Sequence, residues 1–128
     1  VNQIETNLQA QRLKEHEWMT RLNVQHEGYM PFGQGRANEM FEDPRILEIA
    51  AKYGKTPRQV ALRYQIQCGV IVIPKSVNPE RVRANAEVFD FALSDQDMAA
   101  LRSMDMEKPL TGDPETPERT MKITGFKL

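Results

Sequence analysis

Polar Gln3 lies between Asn2 and Ile4 in an alternating start, and residues 1–5 predict a short strand. Residues 7–23 contain no Pro or Gly. Within them Leu8, Ala10, Leu13, Trp18, Met19 and Leu22 approximate one face of a helix. Residues 24–29 predict a second strand, interrupted by Gln25, His26 and Glu27. The stretch MPFGQGRANEMFEDP reads as loop, with Pro31, Gly33, Gly35 and Pro44 as breakers. Asp43 before Pro44 pairs a good N-cap with the residue favoured at the first helical position. The helix it opens uses Ile46, Leu47, Ile49, Ala50 and Tyr53 and stops at Gly54. Thr56-Pro57 starts the next by the same device, with Val60, Ala61, Tyr64 and Cys68 apolar and Gly69 at its end. Residues 70–73 form a continuous apolar run, the pattern of a strand buried on both faces. Asn78-Pro79 caps a further helix through about residue 88. Ser94 with Asp97 resembles a capping box and opens a last helix, with Met98, Leu101 and Met104 inward. Residues 109–128 predict an irregular tail rich in Pro, Thr and charge.

This order of elements argues for α/β architecture with parallel strands and right-handed crossovers. Only three strands are predicted, and a parallel sheet needs both faces covered and its edges protected. The chain opens in mid-strand at Val1, as a cut piece is expected to. Its 128 residues are one domain's worth, and a net charge of −1 gives no global attraction to nucleic acid or to an anionic membrane. A lone cysteine, Cys68, leaves no internal disulfide, so a reducing cytoplasm is the expected compartment.

The turn after the apolar run, VIVIPKSV, carries the most chemistry. It follows a strand and precedes a helix, whose N-terminus offers free N–H groups and a positive dipole end. Lys75 adds a point charge, Ser76 a hydroxyl and Arg81 a fork suited to phosphate, with Asn85 one turn further along the same face. A phosphomonoester beside an aromatic base fits these groups; the alternative is a solvated turn with a surface Lys and Arg. Elsewhere the blander reading is preferred. His16 is expected on the surface and His26 half buried, with no metal spacing around either. Trp18 and Met19 are expected on an inner helix face, Cys68 as packing, and Lys52, Lys55 and Arg58 as wet surface.

The segments VNQIE, GYMPFG, DPRILEIAAKYGKTPRQVALRYQIQ, VIVIPKSVNPERVRAN and VFDFALSDQDM resemble, in order and spacing, the C-terminal portion of an aldo-keto reductase. The bacterial diketogluconate-reductase-like branch is the most similar. The resemblance covers residues 1–108 and implies the last three strands and flanking helices of a (β/α)8 barrel, a fold of about 250 residues. It also implies roles in binding NADP(H). Gln3, beside Asn2, would hold the nicotinamide carboxamide and Tyr29 would stack on the nicotinamide ring. Phe32, Gly33 and Gln34 would cross the pyrophosphate. Lys75, Ser76 and Arg81 would clamp the 2′-phosphate, and Asn85 would contact adenine. Met30 and Ala84 depart from the family pattern. The family's catalytic Asp, Tyr, Lys and His belong to earlier strands, so no catalytic residue is expected here, and no metal site. The implied function is part of an NADPH-dependent oxidoreductase reducing aldehydes or ketones, with a small carbonyl substrate and neither nucleic acid nor membrane as partner. The chain alone is expected to be inactive. The alternatives are a non-catalytic nucleotide-binding or partner-pairing module that self-associates through open strand edges, and an inactive truncated fragment.

Overall fold

In the computed structural model, residues 1–35 and 37–112 are described. The elements run β1 (Asn2–Glu5), α1 (Leu13–Arg21), β2 (His26–Tyr29), α2 (Ala37–Phe41), α3 (Pro44–Tyr53), α4 (Pro57–Gln67), β3 (Ile71–Val72), α5 (Pro79–Ala86) and α6 (Asp95–Arg102). The helix starts follow local chemistry. Asp43 accepts from Arg45 N, Thr56 and Gln59 form a reciprocal capping box, Asn78 caps α5, and Ser94 accepts from Asp97 N. Gly54 ends α3 in the left-handed region at φ 62°. No helix among the described residues is long and apolar enough to cross a membrane.

The three strands are parallel in the order β1-β2-β3. Gln3 lies opposite Glu27, which lies opposite Ile71; Ile4, Gly28 and Val72 form the next row. Side chains alternate between faces, so His26, Gly28 and Val72 share one face and Gln3, Glu27, Tyr29 and Ile71 the other. Helices cover the first face. There Gly28 is obligatory, because a Cβ would lie 2.9 Å from Thr6 Cβ and 3.1 Å from Val70 Cγ1. The second face is largely bare, with Ile71 46% and Ile73 42% exposed. The apolar run at residues 70–73 is therefore covered on one side only, contrary to the expectation of burial on both faces. It is an edge strand, and nothing among the described residues lies over its other face. The core is helical. Ile46, Ile49 and Ala50 of α3, Val60, Ala61 and Tyr64 of α4, and Leu101 of α6 pack with Leu8, Met40, Leu93 and Met104.

The expected helix over residues 7–23 is replaced by a buried loop and a shorter helix, α1. Residues 5–11 are all buried although most are polar. Their hydrogen bonds go to partners a helix could not reach. Asn7 Oδ1 accepts from Gln9 N and Ala10 N, while Asn7 N and Ala10 N each donate to the other's carbonyl at 3.1 Å. Gln11 Nε2 donates to Leu8 O at 2.9 Å and Leu101 O at 2.8 Å, and Gln11 Oε1 accepts from Tyr64 Oη at 2.7 Å. Glu5 accepts from Leu110 N, Thr111 N and the Thr111 hydroxyl, which straps the C-terminal segment across the end of the sheet. Burial works against the Glu5 carboxylate, but these bonds outweigh it and hold its carboxyl below the usual range.

The late start of α1 sets which residues it buries. Met19 faces inward, whereas Trp18 is 55% and Leu22 67% exposed, against the expected inner positions. Leu47 of α3 is likewise exposed. His16 is not a solvated surface histidine but half buried against fully buried His26. Thr6 Oγ1 donates to Ile4 O, so it accepts from His26 Nε2 at 2.8 Å. That leaves His26 Nδ1 as the acceptor for His16 Nδ1–H at 3.0 Å. Residues 37–41, expected as loop, form α2, which buries Met40. The expected tail begins without regular structure at residues 109–112, and its remainder lies outside the described residues.

Two stability predictions follow from this layer. Gln11→Ala removes the partner of Tyr64 Oη and of Leu8 O and one of the two donors to Leu101 O, so urea unfolding should show a loss of about 3 kcal/mol with an unchanged m-value. His26 is held down to about 4, first by burial and then by His16 beside it. The unfolded chain takes up this proton near 6.5 and the folded chain only near 4, so between these values the unfolded state binds more protons. Stability at neutral pH should therefore decline as pH falls from 6.5 towards 4, by up to about 1.4 kcal/mol per pH unit. Parallel urea titrations of His26→Asn should lack this slope.

Candidate functional site: a cationic cavity beyond the last strand

The edge strand β3 ends where Pro74 turns the chain towards α5. Ser76 Oγ accepts from Asn78 N at 3.1 Å and donates to Asn78 O, which shapes the turn around exposed Lys75. Asn78 Oδ1 then accepts from Glu80 N at 2.9 Å and Arg81 N at 3.2 Å. Two of the N–H groups expected to be free for an anion are thus occupied by the cap. The attraction for an anion at this turn must come mainly from side chains.

Those side chains converge. Phe32, Gln34, Lys75, Ser76, Arg81 and Asn85 line one cavity of about 370 Å³, together with Arg58, Val77 and Asn78. A second cavity of about 420 Å³ adjoins it through Arg58, Arg81 and Asn85 and reaches Ala84 and Phe41. The first cavity has three cations on its wall and no carboxylate. A set of two guanidiniums, an ammonium and three amides, beside an aromatic ring, fits a phosphorylated nucleoside.

Arg58 was not among the expected site residues. The surface reading of Lys52, Lys55 and Arg58 holds for Lys52, which is exposed, and fails for the other two. Lys52 Nζ donates to Asp97 at 2.8 Å, and Lys55 Nζ to Asp90 at 2.7 Å over the Phe91 ring. Arg58 is half buried, with its guanidinium carbon 4.9 Å from the Phe32 ring centre and 4.8 Å from that of Phe41. A sequence signal was present. Arg58 is the second residue of α4, in the first turn, where the helix dipole favours acids over bases.

Three expected site residues lie elsewhere. Gly33 is buried beside Met40 and Asn7, with φ 56°, a conformation suited to glycine. Its role is to turn the chain that presents Phe32. Gln3 and Tyr29 stand on the bare sheet face. Gln3 donates its amide to Glu27, and Tyr29 Oη donates to Thr111 Oγ1 at 3.0 Å, since the Thr111 proton goes to Glu5. The other tyrosines have structural partners. Tyr53 Oη donates to Asp97 at 2.6 Å, and burial pushes the phenol of Tyr64 upward. Among the described residues no group of three or more His, Cys, Asp and Glu could hold a metal ion.

The family model described as "Aldo/keto reductase family" matches residues 1–106. An aldo-keto reductase of Mycolicibacterium smegmatis is 44% identical over 125 residues, 98% of this chain and 43% of that protein. The methylglyoxal reductase DkgA of Yersinia pestis is 40% identical over 115 residues, 90% of this chain and 41% of that protein. The crystal structure of a Gox0644 mutant in complex with NADPH superposes with a TM-score of 0.76 at 43% identity, over 81% of this chain and 37% of that one. The chain thus spans less than half the length of these relatives. It belongs to the aldo/keto reductase family, and its three parallel strands and flanking helices are part of that family's barrel.

Proposed function

We propose that the chain is the nucleotide-holding part of an NADP(H)-dependent oxidoreductase that reduces aldehydes or ketones to alcohols. The observation that carries this is the convergence of Lys75, Ser76, Arg81 and Asn85 with Phe32 and Gln34 on one cavity that has no acid on its wall. When bound, the nicotinamide supplies a hydride to the carbonyl carbon. Lys75 and Arg81 would neutralise the 2′-phosphate, which favours NADPH over NADH. Ser76 already donates to Asn78 O and accepts from Asn78 N, so it would contribute chiefly by fixing the turn. Asn85 would contact the adenine edge, and Phe32 and Gln34 would border the pyrophosphate. Tyr29 would stack on a ring over the bare sheet face, and Gln3 would bond an amide once released from Glu27.

The proton donor to the carbonyl oxygen would come from residues outside this chain. Tyr53 and Tyr64 are committed to Asp97 and Gln11; Lys52, beside Tyr53, is itself paired with Asp97, and burial pushes the Tyr64 phenol up despite Arg102 nearby. On this view residues 1–108 are barrel and residues 109–128 a tail. The bare face carrying Ile71 and Ile73 would be covered by the remaining strands, or by a second copy if this chain stands alone. The single cysteine fits a reducing cytoplasm.

Calorimetric titration of the chain with NADPH and NADH tests the assignment. NADPH should bind more tightly, and Lys75→Ala and Arg81→Ala should each weaken it about tenfold while leaving NADH little changed. Equal affinity for the two dinucleotides, or NADPH binding indifferent to both substitutions, would overturn it.

A further inference from the structure

Arg58 is held in an unfavourable place. It occupies the first turn of α4, where the helix dipole repels a cation. Arg81 lines both adjoining cavities with it and repels it further. Burial first, and then Arg81, pull its guanidinium below its ordinary value. No hydrogen bond or ion pair compensates it among the described residues. Only Phe32 and Phe41 do, through their rings, which contact each other edge to face at 6.0 Å. Ring contact of this kind uses no N–H···O bond, so the guanidinium N–H donors stay available. A residue that burial, the helix dipole and Arg81 disfavour, that forms no ion pair with Glu42 on the wall of the second cavity, and that the aromatic pair fixes in position, is preorganised for an anion the free chain lacks.

We propose that Arg58 is a third, specificity-determining cation of the phosphate site, donating from its edge to the same phosphomonoester as Lys75 and Arg81. This rests on the nucleotide reading above and deepens it. It also reverses the ordinary expectation for a half-buried arginine, because removing the charge should help the empty chain and harm the occupied one.

The test uses adenosine 2′,5′-bisphosphate and adenosine 5′-monophosphate, which differ only in the 2′-phosphate. Each is titrated calorimetrically into the unaltered chain, Arg58→Gln and Arg58→Lys, with urea unfolding measured alongside. Arg58→Gln should weaken the bisphosphate at least about tenfold and the monophosphate less than about twofold, and should reduce the salt dependence of bisphosphate binding. Its unfolding midpoint should stay level or rise. Arg58→Lys should recover part of the affinity. Bisphosphate affinity unchanged in Arg58→Gln, while Lys75→Ala still weakens it, overturns this inference and leaves the nucleotide reading standing. Equal weakening of both ligands with a lowered midpoint also overturns it, since that marks Arg58 as an aromatic cap. Failure of the unaltered chain to bind either ligand overturns both readings.

Discussion

The seven buried residues from Glu5 to Gln11 carry the load of this structure. A segment that leaves its strand at Glu5 and runs on through the interior without regular structure must find a partner for nearly every backbone and side-chain polar group. This one does so by reaching in four directions. Thr6 bonds His26 of the neighbouring strand, Gln11 bonds Tyr64 of α4 and the carbonyl of Leu101 in α6, and Glu5 ties down Leu110 and Thr111. Leu8, fully buried among the helices, supplies the apolar anchor. The sheet, the helical core and the C-terminal strap therefore meet at one polar loop. If that loop were misplaced, β1 would lose its relation to α4 and α6 together.

Fixing that loop also fixes the position of the site. Gly33 packs against Asn7 and Met40, so the turn that presents Phe32 rests on the same loop. Helix α4 bonds Gln11 through Tyr64 and begins at the Thr56 cap that places Arg58. Gln59 of α4 donates to Ala84 O and so holds α5, with Arg81 and Asn85 on it. The cavity is assembled through a short chain of rigid contacts, whereas the bare sheet face with Gln3 and Tyr29 has only the Thr111 strap over one end. The two ends of a dinucleotide would then depend on different parts of the protein. On the proposed reading the phosphate end would be built by this chain, and the nicotinamide end would await cover.

Much of this was legible in the sequence where the determinant is local. Asp43-Pro44, Thr56-Pro57, Asn78-Pro79 and Ser94 predicted four helix starts because a cap acts on N–H groups two or three residues away. The convergence of Lys75, Ser76, Arg81 and Asn85 was legible for the same reason, since one turn and one helix face hold them all. The loop at residues 5–11 was not. Leu8 and Ala10 fit a helical face, and only the distant Tyr64, Leu101 and Thr111 make the non-helical path favourable. The His16–His26 pair and the contact of Arg58 with Phe32 and Phe41 depend on tertiary placement in the same way. Trp18 and Leu22 were misjudged because the phase of α1 is set by that loop.

The electrostatics divide along the same line. Asp97 has Lys52 and Tyr53, Asp90 has Lys55, Asp43 has Arg45, and Glu5 has the strap, so the acids that touch the helical layer are matched. The cations at the cavity are not matched in this way: three line it without an acid among them. Unmatched charge weakens a fold, and it is tolerated where stability is supplied elsewhere. Here the supply is the apolar contact of α3, α4 and α6, against which Phe41, beneath Arg58, also packs. A binding site made of mutually repelling groups can be held ready in the absence of its ligand only when such a rigid layer stands behind it. That requirement links the buried loop to the nucleotide chemistry proposed for the surface.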